Sequence, residues 1–236
     1  MIKQYKKNLD YSYTLGFYPT FELIKYKKDK IRVIYIHPNA INSGAYNKLT
    51  TLVSKDKVVI SEAPFNKLSE KENDHCIGVF DKYETNVDLN DDLIVLHNPS
   101  DMGNLGNILR TMNAFNFKSL VIIRPACDIF NPKVVRASMG SFFKVNFIYL
   151  DTFEDYLKMF PNHTYYPFAL QKAEKLSSLK KIEHPYSLLF GNEASGLPEE
   201  ILNNHTIKIE QAEDIDSLNL TTAVAIACYY AKNVIN

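Results

Sequence analysis

Residues 207–230 read IKIEQAEDIDSLNLTTAVAIACYY, and this is the most informative stretch of the chain. A short apolar strand leads into an acidic loop, and a helix that is apolar on nearly every face follows. A helix of this composition is buried on several sides. Ser217 and Asn219 stand at its beginning, where polar side chains serve either as helix caps or as part of a binding site.

Two earlier segments share this order of strand, polar loop and helix, namely 97–115 (HNPSDMGNLGNILRTMNAF) and 190–202 (FGNEASGLPEEIL). Apolar runs in this half of the chain predict strands at 93–96, 120–123, 145–150, 165–170, 188–190 and 206–209. Alternation of such strands with helices predicts an α/β fold with a mostly parallel sheet covered on both faces. Ligands bind outside the carboxyl ends of parallel strands, so the three polar loops predict one shared site.

The polar segment 81–92 (DKYETNVDLNDD) lacks an apolar period and is interpreted as a linker between two domains. We therefore expect a small α/β domain at residues 1–85 and a larger one at 92–236. The elements predicted in the first domain are helices at 21–28 and 45–53 and strands at 31–36, 58–61 and 76–80.

Composition narrows the class of protein. Of the 236 residues, 46% are hydrophobic, which suffices for packed cores. No apolar run approaches the roughly 18 residues needed to span a bilayer, and we expect no membrane partner. The three cysteines lie far apart in apolar surroundings, at Cys76, Cys127 and Cys228. They indicate buried free thiols in a reducing cytoplasm, with neither a metal site nor a disulfide framework.

The formal net charge is zero, which argues against a nucleic-acid partner because phosphate contacts normally need a basic surface. The charge is unevenly distributed, however. Residues 1–32 hold eight Lys and Arg against three acidic residues, whereas residues 193–216 hold seven acidic residues against Lys208 alone. A polarised surface can carry RNA on one side, and ordinary solvated charge is the alternative.

The helix after strand 93–96 is predicted from apolar residues with helical spacing, which are Leu105, Ile108, Leu109, Met112 and Phe115. Arg110 is about 100° from Leu109 around this helix and flanks the buried face. Asn104 and Asp101 near the helix beginning are candidate caps, and in that case the arginine is simply solvated. Alternatively, a planar guanidinium beside a helix amino terminus suits a phosphate or a ribose.

The loop at 191–196 (GNEASG) contains two glycines, which let the backbone approach a ligand or simply form a tight turn. No lysine follows to make a phosphate-binding loop, and the dinucleotide fingerprint G-x-G-x-x-G is absent. A nucleophilic Ser217 would need an oriented base. Because His184 and His205 stand in no triad signature, a hydrolase is disfavoured.

In their order and spacing, the three motifs resemble those of the SpoU/TrmH family, a branch of the SPOUT methyltransferases. The motifs are Asn104-Leu-Gly-Asn-Ile-Leu-Arg110, Gly191-Asn-Glu193-x-x-Gly196 and Ser217-Leu-Asn219. The intervening segment 131–140 (NPKVVRASMG) also resembles the family, so the resemblance covers about 93–236. Residues 13–16 (YTLG) and 78–80 (GVF) are similar to the small RNA substrate-binding domain that many members carry at the amino terminus.

The resemblance implies a deep trefoil knot in the carboxyl-terminal domain, an exception to the rule that chains are not threaded. It also implies S-adenosyl-L-methionine as cofactor, bent in the knot and held largely by the backbone of the second and third motif loops. By analogy, the cofactor-binding residues are Leu189, Gly191, Gly196, Ile209 and Leu218. Family members are homodimers in which motif-one residues of one protomer complete the site of the other.

The implied reaction is in-line transfer of a sulfonium methyl group to a ribose 2′-hydroxyl of rRNA or tRNA, without a metal. By the same analogy, the catalytic residues are Arg110, Asn104, Glu193, Ser217 and Asn219. Arg110 would activate or orient the hydroxyl, with Asn104 helping to hold it. Because the pKa of an arginine side chain lies above about 12, activation with help from a phosphate is favoured over direct deprotonation.

The third motif departs from the family pattern. Members commonly continue with Ile-Pro-Met, whereas here Ile209 is followed by 210–214 (EQAED). The added negative charge would favour a cationic sulfonium or repel RNA phosphates. A rival hypothesis is therefore a catalytically inactive RNA-binding or ribosome-assembly factor on the same fold. The zero net charge and the altered loop favour this rival, whereas retention of the five candidate catalytic residues favours the enzyme.

Overall fold

The computed structural model describes residues 2–69, 74–212, 214 and 217–235. The chain divides into two compact units, of which the first comprises residues 1–83 and 128–144 and the second comprises 84–127 and 145–236. The segment 128–144, which contains the family-like NPKVVRASMG, thus folds with the first unit. The predicted assignment of RNA binding to residues 1–85 and of chemistry to 92–236 remains a prediction.

The described residues form eleven strands and seven α-helices. The strands are β1 (Tyr11–Tyr13), β2 (Ile31–Ile36), β3 (Val58–Ile60), β4 (Cys76–Asp81), β5 (Leu93–His97), β6 (Ser119–Ile123), β7 (Asn146–Leu150), β8 (Thr164–Phe168), β9 (Glu174–Lys175), β10 (Tyr186–Phe190) and β11 (Ile207–Lys208). The helices are α1 (Phe17–Tyr26), α2 (Gly44–Leu52), α3 (Ala63–Leu68), α4 (Met102–Ala114), α5 (Pro132–Ala137), α6 (Phe153–Met159) and α7 (Leu220–Asn233).

The first unit is built on a four-stranded sheet of order β1-β4-β2-β3, in which β4 runs antiparallel to both neighbours. Helix α1 begins directly after Gly16, whose φ of +97° a glycine adopts without strain. Pro19 lies in the first turn, where its missing N–H costs no hydrogen bond. For these reasons the helix predicted at 21–28 begins four residues earlier and ends at Tyr26.

The second unit contains a seven-stranded sheet of order β7-β6-β5-β10-β8-β11-β9, and the neighbouring strands pair in parallel. Strands β6 and β10 are buried along their whole length, as helices on both faces of a parallel sheet require. The predicted α/β fold with a mostly parallel sheet is confirmed. The predicted strand at 206–209 is shorter, and the exposed two-residue strand β9 carries no apolar pattern that would have predicted it.

Helices α4 and α7 pack against each other in the second unit. The predicted apolar face of α4 is buried at Leu105, Ile108, Leu109 and Met112, although Phe115 lies at the C-cap. Helix α7 buries Leu220, Val224, Ala227, Cys228 and Ala231. On the opposite side Tyr229 is 55% exposed, with its ring edge-on to Phe115, and Val234 at the C-cap is also exposed. The apolar surface of α7 is therefore only partly covered within the protomer.

Two expectations about the carboxyl-terminal half have different outcomes. The helix expected after the 191–196 loop is absent, because residues Glu199–Ile201 form only a single 3₁₀ turn. The trefoil knot stays a prediction, since strand order alone does not define how the chain is threaded. Among the described helices, none combines the length and the apolar character needed to cross a bilayer.

Candidate active site

The three polar loops meet in the second unit, at the edge of the sheet where β5, β8, β10 and β11 end. They line one cavity of about 750 Å³, which is within the usual range for small-molecule sites. Eight of the ten predicted site residues contribute to its wall, and these are Asn104, Gly191, Glu193, Gly196, Ile209, Ser217, Leu218 and Asn219. The expectation that the loops form one site thus agrees with the geometry.

The second motif is a tight turn that only glycine permits at its first position. A Cβ added at Gly191 would lie 2.2 Å from the carbonyl carbon of Gly196, and that backbone contact cannot be relieved by moving a side chain. Gly196 itself has a φ of +67°, in the left-handed region that glycine adopts freely. Asn192 fixes the turn, because its Oδ1 accepts hydrogen bonds from the N–H groups of Ala194 at 2.9 Å and Ser195 at 3.2 Å.

Glu193 connects this turn to the beginning of α4. Its carboxylate accepts hydrogen bonds from the Ser100 N–H at 3.2 Å, the Ser100 hydroxyl at 2.9 Å and the Asp101 N–H at 3.2 Å. Asn104 Nδ2 donates a further bond at 3.2 Å. Burial raises the pKa of Glu193, but the hydrogen bonds to its ionised form outweigh burial and hold the pKa below its ordinary value. Glu193 is therefore an anion fixed in the wall of the cavity.

The cap of α4 is Asp101, whose Oδ1 accepts a hydrogen bond from the Asn104 N–H at 2.7 Å. The side chain of Asn104 is thus free of the capping role and reaches Glu193 through its Nδ2. Its Oδ1 accepts a longer bond, 3.4 Å, from Asn219 Nδ2. Asn219 also caps α7 by accepting from the Thr221 N–H at 2.8 Å. Asn219 therefore both caps α7 and lines the cavity.

Glu193, Asn104 and Asn219 therefore form a continuous hydrogen-bonded row that joins all three motifs. Ser217 lines the same cavity two residues before the α7 cap. An anionic carboxylate, two side-chain amides and a hydroxyl on one wall can position a polar acceptor group. The row contains no base whose pKa is raised toward neutrality, so the arrangement favours orientation over proton abstraction.

Two predicted residues lie away from this cavity wall. Arg110 is six residues beyond Asn104, about 9 Å along the helix axis, and its side chain is exposed. Leu189 is fully buried in β10 and belongs to the apolar core of the second unit. Neither side chain lines the cavity within the protomer.

The loop after β8 is a contributor that was not predicted. Phe168 and Phe190, at the ends of β8 and β10, stack with ring centroids 4.7 Å apart and planes 17° apart, and both line the cavity. Leu170 and Lys172 follow in the same wall, where Lys172 forms an ion pair with Glu199. The predicted strand 165–170 ends close to this loop and so indicated where the loop lies. The apolar residues of the loop, however, were assigned to the strand.

The altered third motif also contacts the cavity. Ile209 and Gln211 line it, whereas the Glu210 carboxylate accepts a hydrogen bond from the Ser177 hydroxyl. That hydrogen bond lowers the pKa of Glu210, so the carboxylate is ionised at neutral pH. Glu213 and Asp216, which belong to the acidic loop, lie outside the described residues. Among the residues that the structure does describe, no cluster of His, Cys, Asp and Glu could hold a metal ion.

Comparison with known families gives a match for most of the second unit and for the segment 128–144. A model described as the SpoU rRNA Methylase family matches residues 92–229, a range that includes all ten predicted site residues. The chain belongs to this family.

Three relatives indicate the range of SpoU proteins that the chain resembles. An uncharacterized tRNA/rRNA methyltransferase of Synechocystis sp. is 31% identical over 143 residues, or 59% of this chain, and the chain spans about half, 52%, of that relative. The Bacillus subtilis 23S rRNA (guanosine(2553)-2′-O)-methyltransferase RlmP is 28% identical, with 74% of this chain and 71% of the relative covered. An uncharacterized tRNA/rRNA methyltransferase of Borreliella burgdorferi is 24% identical over 89% of this chain and 91% of its own length.

Solved structures show the same fold. The SpoU methyltransferase AviRb of Streptomyces viridochromogenes superposes with a TM-score of 0.78 over 93% of this chain and 88% of its own, at 18% identity. An rRNA methyltransferase of Sinorhizobium meliloti gives a TM-score of 0.77 at 22% identity, with 93% and 86% covered. Because both matches cover 93% of the chain, the likeness of fold extends beyond the range of the family model.

Proposed function

We propose that the chain transfers a methyl group from S-adenosyl-L-methionine to a ribose 2′-hydroxyl of rRNA or tRNA. The observation that carries this proposal is the hydrogen-bonded row Glu193–Asn104–Asn219, which unites the three SpoU motifs on one cavity. The names of the relatives, which include ribosomal and transfer RNA 2′-O-methyltransferases, support the reaction. Because the row lies beside an open cavity, it favours the enzyme over an inactive RNA-binding factor.

The residues present fit the proposed cofactor. The absence of a Cβ at Gly191 lets the backbone at Gly196 close the tight turn that lines the cavity, and the stacked rings of Phe168 and Phe190 supply an apolar wall. Glu193 supplies a fixed negative charge, which suits a cationic ligand. We expect Gly191, Gly196, Ile209 and Leu218 to hold the cofactor, as the SpoU motifs suggest. When bound, S-adenosyl-L-methionine supplies the electrophilic methyl group.

The polar row would orient the acceptor ribose. Asn104 and Asn219 offer amide groups to sugar hydroxyls, and Glu193 keeps Asn104 in a single orientation. Holding the 2′-oxygen in line with the methyl group supplies much of the rate enhancement in a displacement of this kind. Ser217 would offer an additional hydroxyl contact on the same wall.

We further propose that the protein acts as a homodimer, with Arg110 serving the site of the partner subunit. Two observations support this arrangement. Arg110 is exposed and stands apart from the cavity of its own protomer. Tyr229 on helix α7 and Val234 at its C-cap are exposed, and aromatic side chains are enriched in interfaces between protein chains. The guanidinium would stabilise negative charge that develops on the 2′-oxygen, assisted by an RNA phosphate.

The amino-terminal unit would bind the RNA and the second unit would carry out the chemistry, in a cytoplasmic protein with the knotted SpoU fold. The charge distribution supports this division, because residues 1–32 hold eight basic against three acidic residues and a basic surface attracts RNA.

Calorimetric titration with S-adenosyl-L-methionine and with its demethylated product tests the proposal without knowledge of the RNA. We expect a Kd in the micromolar range with about one site per protomer. The variant Gly191→Ala should abolish binding, because its Cβ overlaps the Gly196 backbone. The matched control Gly44→Ala, where an added Cβ meets nothing within 4 Å, should bind as the natural protein does. Absence of heat and of thermal stabilisation with both ligands would contradict the proposed activity.

A further inference from the structure

The outer face of α1, in the first unit, carries an unusual set of exposed side chains. Tyr18, Lys25 and Tyr26 are exposed and follow at i, i+7 and i+8, so they lie along one side of the helix. Glu22, at i+4 on the same side, is only 15% exposed and pairs with Lys144. Tyr18 is 54% exposed and Tyr26 is 39% exposed. The opposite side of the helix contains the residues that are buried in the unit, including Leu23 and Ile24. The two aromatic rings therefore contribute little to the core.

Two ammonium groups are held close to the ring of Tyr26. Lys25 Nζ lies 4.9 Å from the ring centroid, and Lys144 Nζ lies 5.1 Å from the same centroid. Glu22 contacts Lys144 Nζ at 2.8 Å and also attracts the ammonium of Lys25, so a single carboxylate faces two ammonium groups. Like charges beside one ring repel each other, so an anion placed near Lys25 would be stabilised. This part of α1 therefore combines an ammonium group that can bind an anion with an aromatic ring beside it.

A strained turn at Met139 and Gly140 packs against α1 at Glu22. Gly140 packs so tightly on α1 that an added Cβ would lie 2.4 Å from Glu22 Cγ. The preceding residue, Met139, has a φ of +47°, which is rare for a residue with a side chain, and it is 46% exposed. Strain of this kind persists where the surrounding structure enforces it, and it often marks functional surfaces.

We infer that these five residues, Tyr18, Lys25, Tyr26, Met139 and Lys144, form a surface that binds unpaired nucleotides of an RNA loop. We name it the α1 surface. Its tyrosine rings and its methionine would contact the faces of splayed bases, while its lysines contact phosphates. A paired duplex keeps its bases stacked inside and offers no such faces. The choice of RNA as the ligand rests on the proposed function.

Charge favours RNA over a protein partner at the α1 surface. The surface itself has two cations against the single carboxylate of Glu22. Residues 1–32, which include α1, hold eight basic against three acidic residues. A polyanion with exposed aromatic bases matches both the net charge and the exposed rings, whereas an apolar protein face would leave Lys25 to be desolvated without a partner.

The stacking contribution is tested with the full-length protein and a fluorescently labelled RNA hairpin that has an unpaired loop. We expect the double variant Tyr18→Ala/Tyr26→Ala to bind the hairpin at least about fivefold more weakly. Binding of the fully paired stem should be unchanged. Tyr18→Phe/Tyr26→Phe keeps both rings and should restore the affinity. The matched control Ile41→Ala/Leu52→Ala removes two other exposed apolar side chains of the first unit and should have no effect.

The electrostatic contribution is measured as the dependence of the binding constant on salt. Lys25→Ala should reduce the slope of log K against log salt by about 0.7, the value for one lost phosphate contact to a single strand. Lys144 is kept in this variant because its ammonium also pairs with Glu22. Lys55→Ala makes the same change of charge at another exposed position of the first unit. We expect its slope to equal that of the natural protein.

An unchanged affinity for the hairpin in the tyrosine variant would overturn the inference, as would equal binding of hairpin and duplex by the natural protein. A change of oligomeric state in sedimentation, without a change in RNA affinity, would show that the surface joins two copies and would overturn it too. Cofactor binding by calorimetry should be the same in all these variants. A chain that binds no cofactor, yet loses hairpin affinity in the tyrosine variant, would retain the α1 surface and contradict the proposed methyl transfer.

Discussion

Polar clusters lie at both ends of the strands in the parallel sheet of the second unit, which we call the amino edge and the carboxyl edge. The two clusters differ in what lies beside them. At the amino edge, where the strands begin, the Asp92 carboxylate accepts from His184 Nδ1 at 2.7 Å and from Lys232 Nζ at 2.5 Å. His163 is buried and bonds to the Ser187 hydroxyl at 3.0 Å and to the Leu89 carbonyl at 2.8 Å. These groups satisfy one another, and none of them lines the cavity at the carboxyl ends of the strands.

At the carboxyl edge, Glu193, Asn104 and Asn219 also bond to one another, yet they do so along the wall of a cavity of about 750 Å³. A hydrogen-bonded polar cluster is therefore not in itself evidence of a site. The difference lies in the open space beside the cluster, which is also lined by Gly191, Gly196 and the loop after β8. Variants at the two edges should accordingly separate activity from stability.

The largest effect is expected for Arg110→Ala. If the guanidinium stabilises charge on the 2′-oxygen, its removal should lower the rate of methyl transfer about 100-fold or more. The Kd for S-adenosyl-L-methionine should not change, because Arg110 does not line the cavity. Incorporation of labelled methyl groups into rRNA and tRNA measures the rate, and calorimetry measures the Kd. Lys118→Ala, at another exposed basic position in the second unit, is the matched control. Loss of cofactor binding in Arg110→Ala would contradict the assigned role.

Asp92→Ala should have the opposite signature at the amino edge. It removes the carboxylate that pairs with the partly buried ammonium of Lys232, and we expect the free energy of unfolding to fall by about 2 kcal/mol. Cofactor affinity should be retained, because no residue of this cluster lines the cavity. Urea denaturation followed by circular dichroism measures the change. The exposed control Asp56→Ala should remain within about 0.5 kcal/mol of the natural protein. A weakened cofactor affinity in Asp92→Ala would remove the distinction between the edges.

The pH dependence of Glu193 sharpens the comparison. The pKa of this carboxyl is lower in the folded protein than its ordinary value of 4.5, so ionisation stabilises the folded state. This contribution is complete above the ordinary pKa and is lost as the pH falls through the folded-state value. The difference in unfolding free energy between the natural protein and Glu193→Gln should therefore be largest near neutrality and shrink below about pH 4.5. A difference that grows on acidification would show that the hydrogen bonds do not favour the ionised form.

The smallest effect is expected for Glu199→Gln, which breaks the ion pair with Lys172 at the cavity mouth. Both side chains are largely exposed, and exposed ion pairs often contribute nothing measurable. The midpoint of thermal unfolding and the Kd for S-adenosyl-L-methionine should both be unchanged. If the Kd rises strongly, the pair holds the loop after β8 in place, and the site would extend to that loop.

The parallel sheet could be predicted because its central strands are continuous apolar runs, and such runs are typical of strands that are buried on both faces. The position of the site followed from the same pattern, since polar residues at the ends of parallel strands converge. Asn104, Glu193 and Asn219 were chosen as site residues because their motifs resemble those of the SpoU/TrmH family, and Asn104 lies within hydrogen-bonding reach of the other two. What each of them does in catalysis stays a prediction.

Other features depend on long-range contacts that local sequence does not encode. The stacking of Phe168 on Phe190 arises because β8 and β10 are neighbours, and the sequence does not state which strands pair. Residues 128–144 pack with the first unit although they lie between β6 and β7 of the second. The helix expected after Pro198 is reduced to one turn because Asn203 and Thr206 bond to each other and redirect the chain into β11.

The division of labour at the beginning of α4 has a consequence for how the site can change. Asp101 caps the helix, so the side chain of Asn104 is not needed as a cap. Asn104 can therefore be exchanged in laboratory evolution with little risk of unravelling α4, while position 101 tolerates few alternatives. Libraries that vary residue 104 together with the loop after β8 would explore new acceptor groups on a scaffold that stays folded.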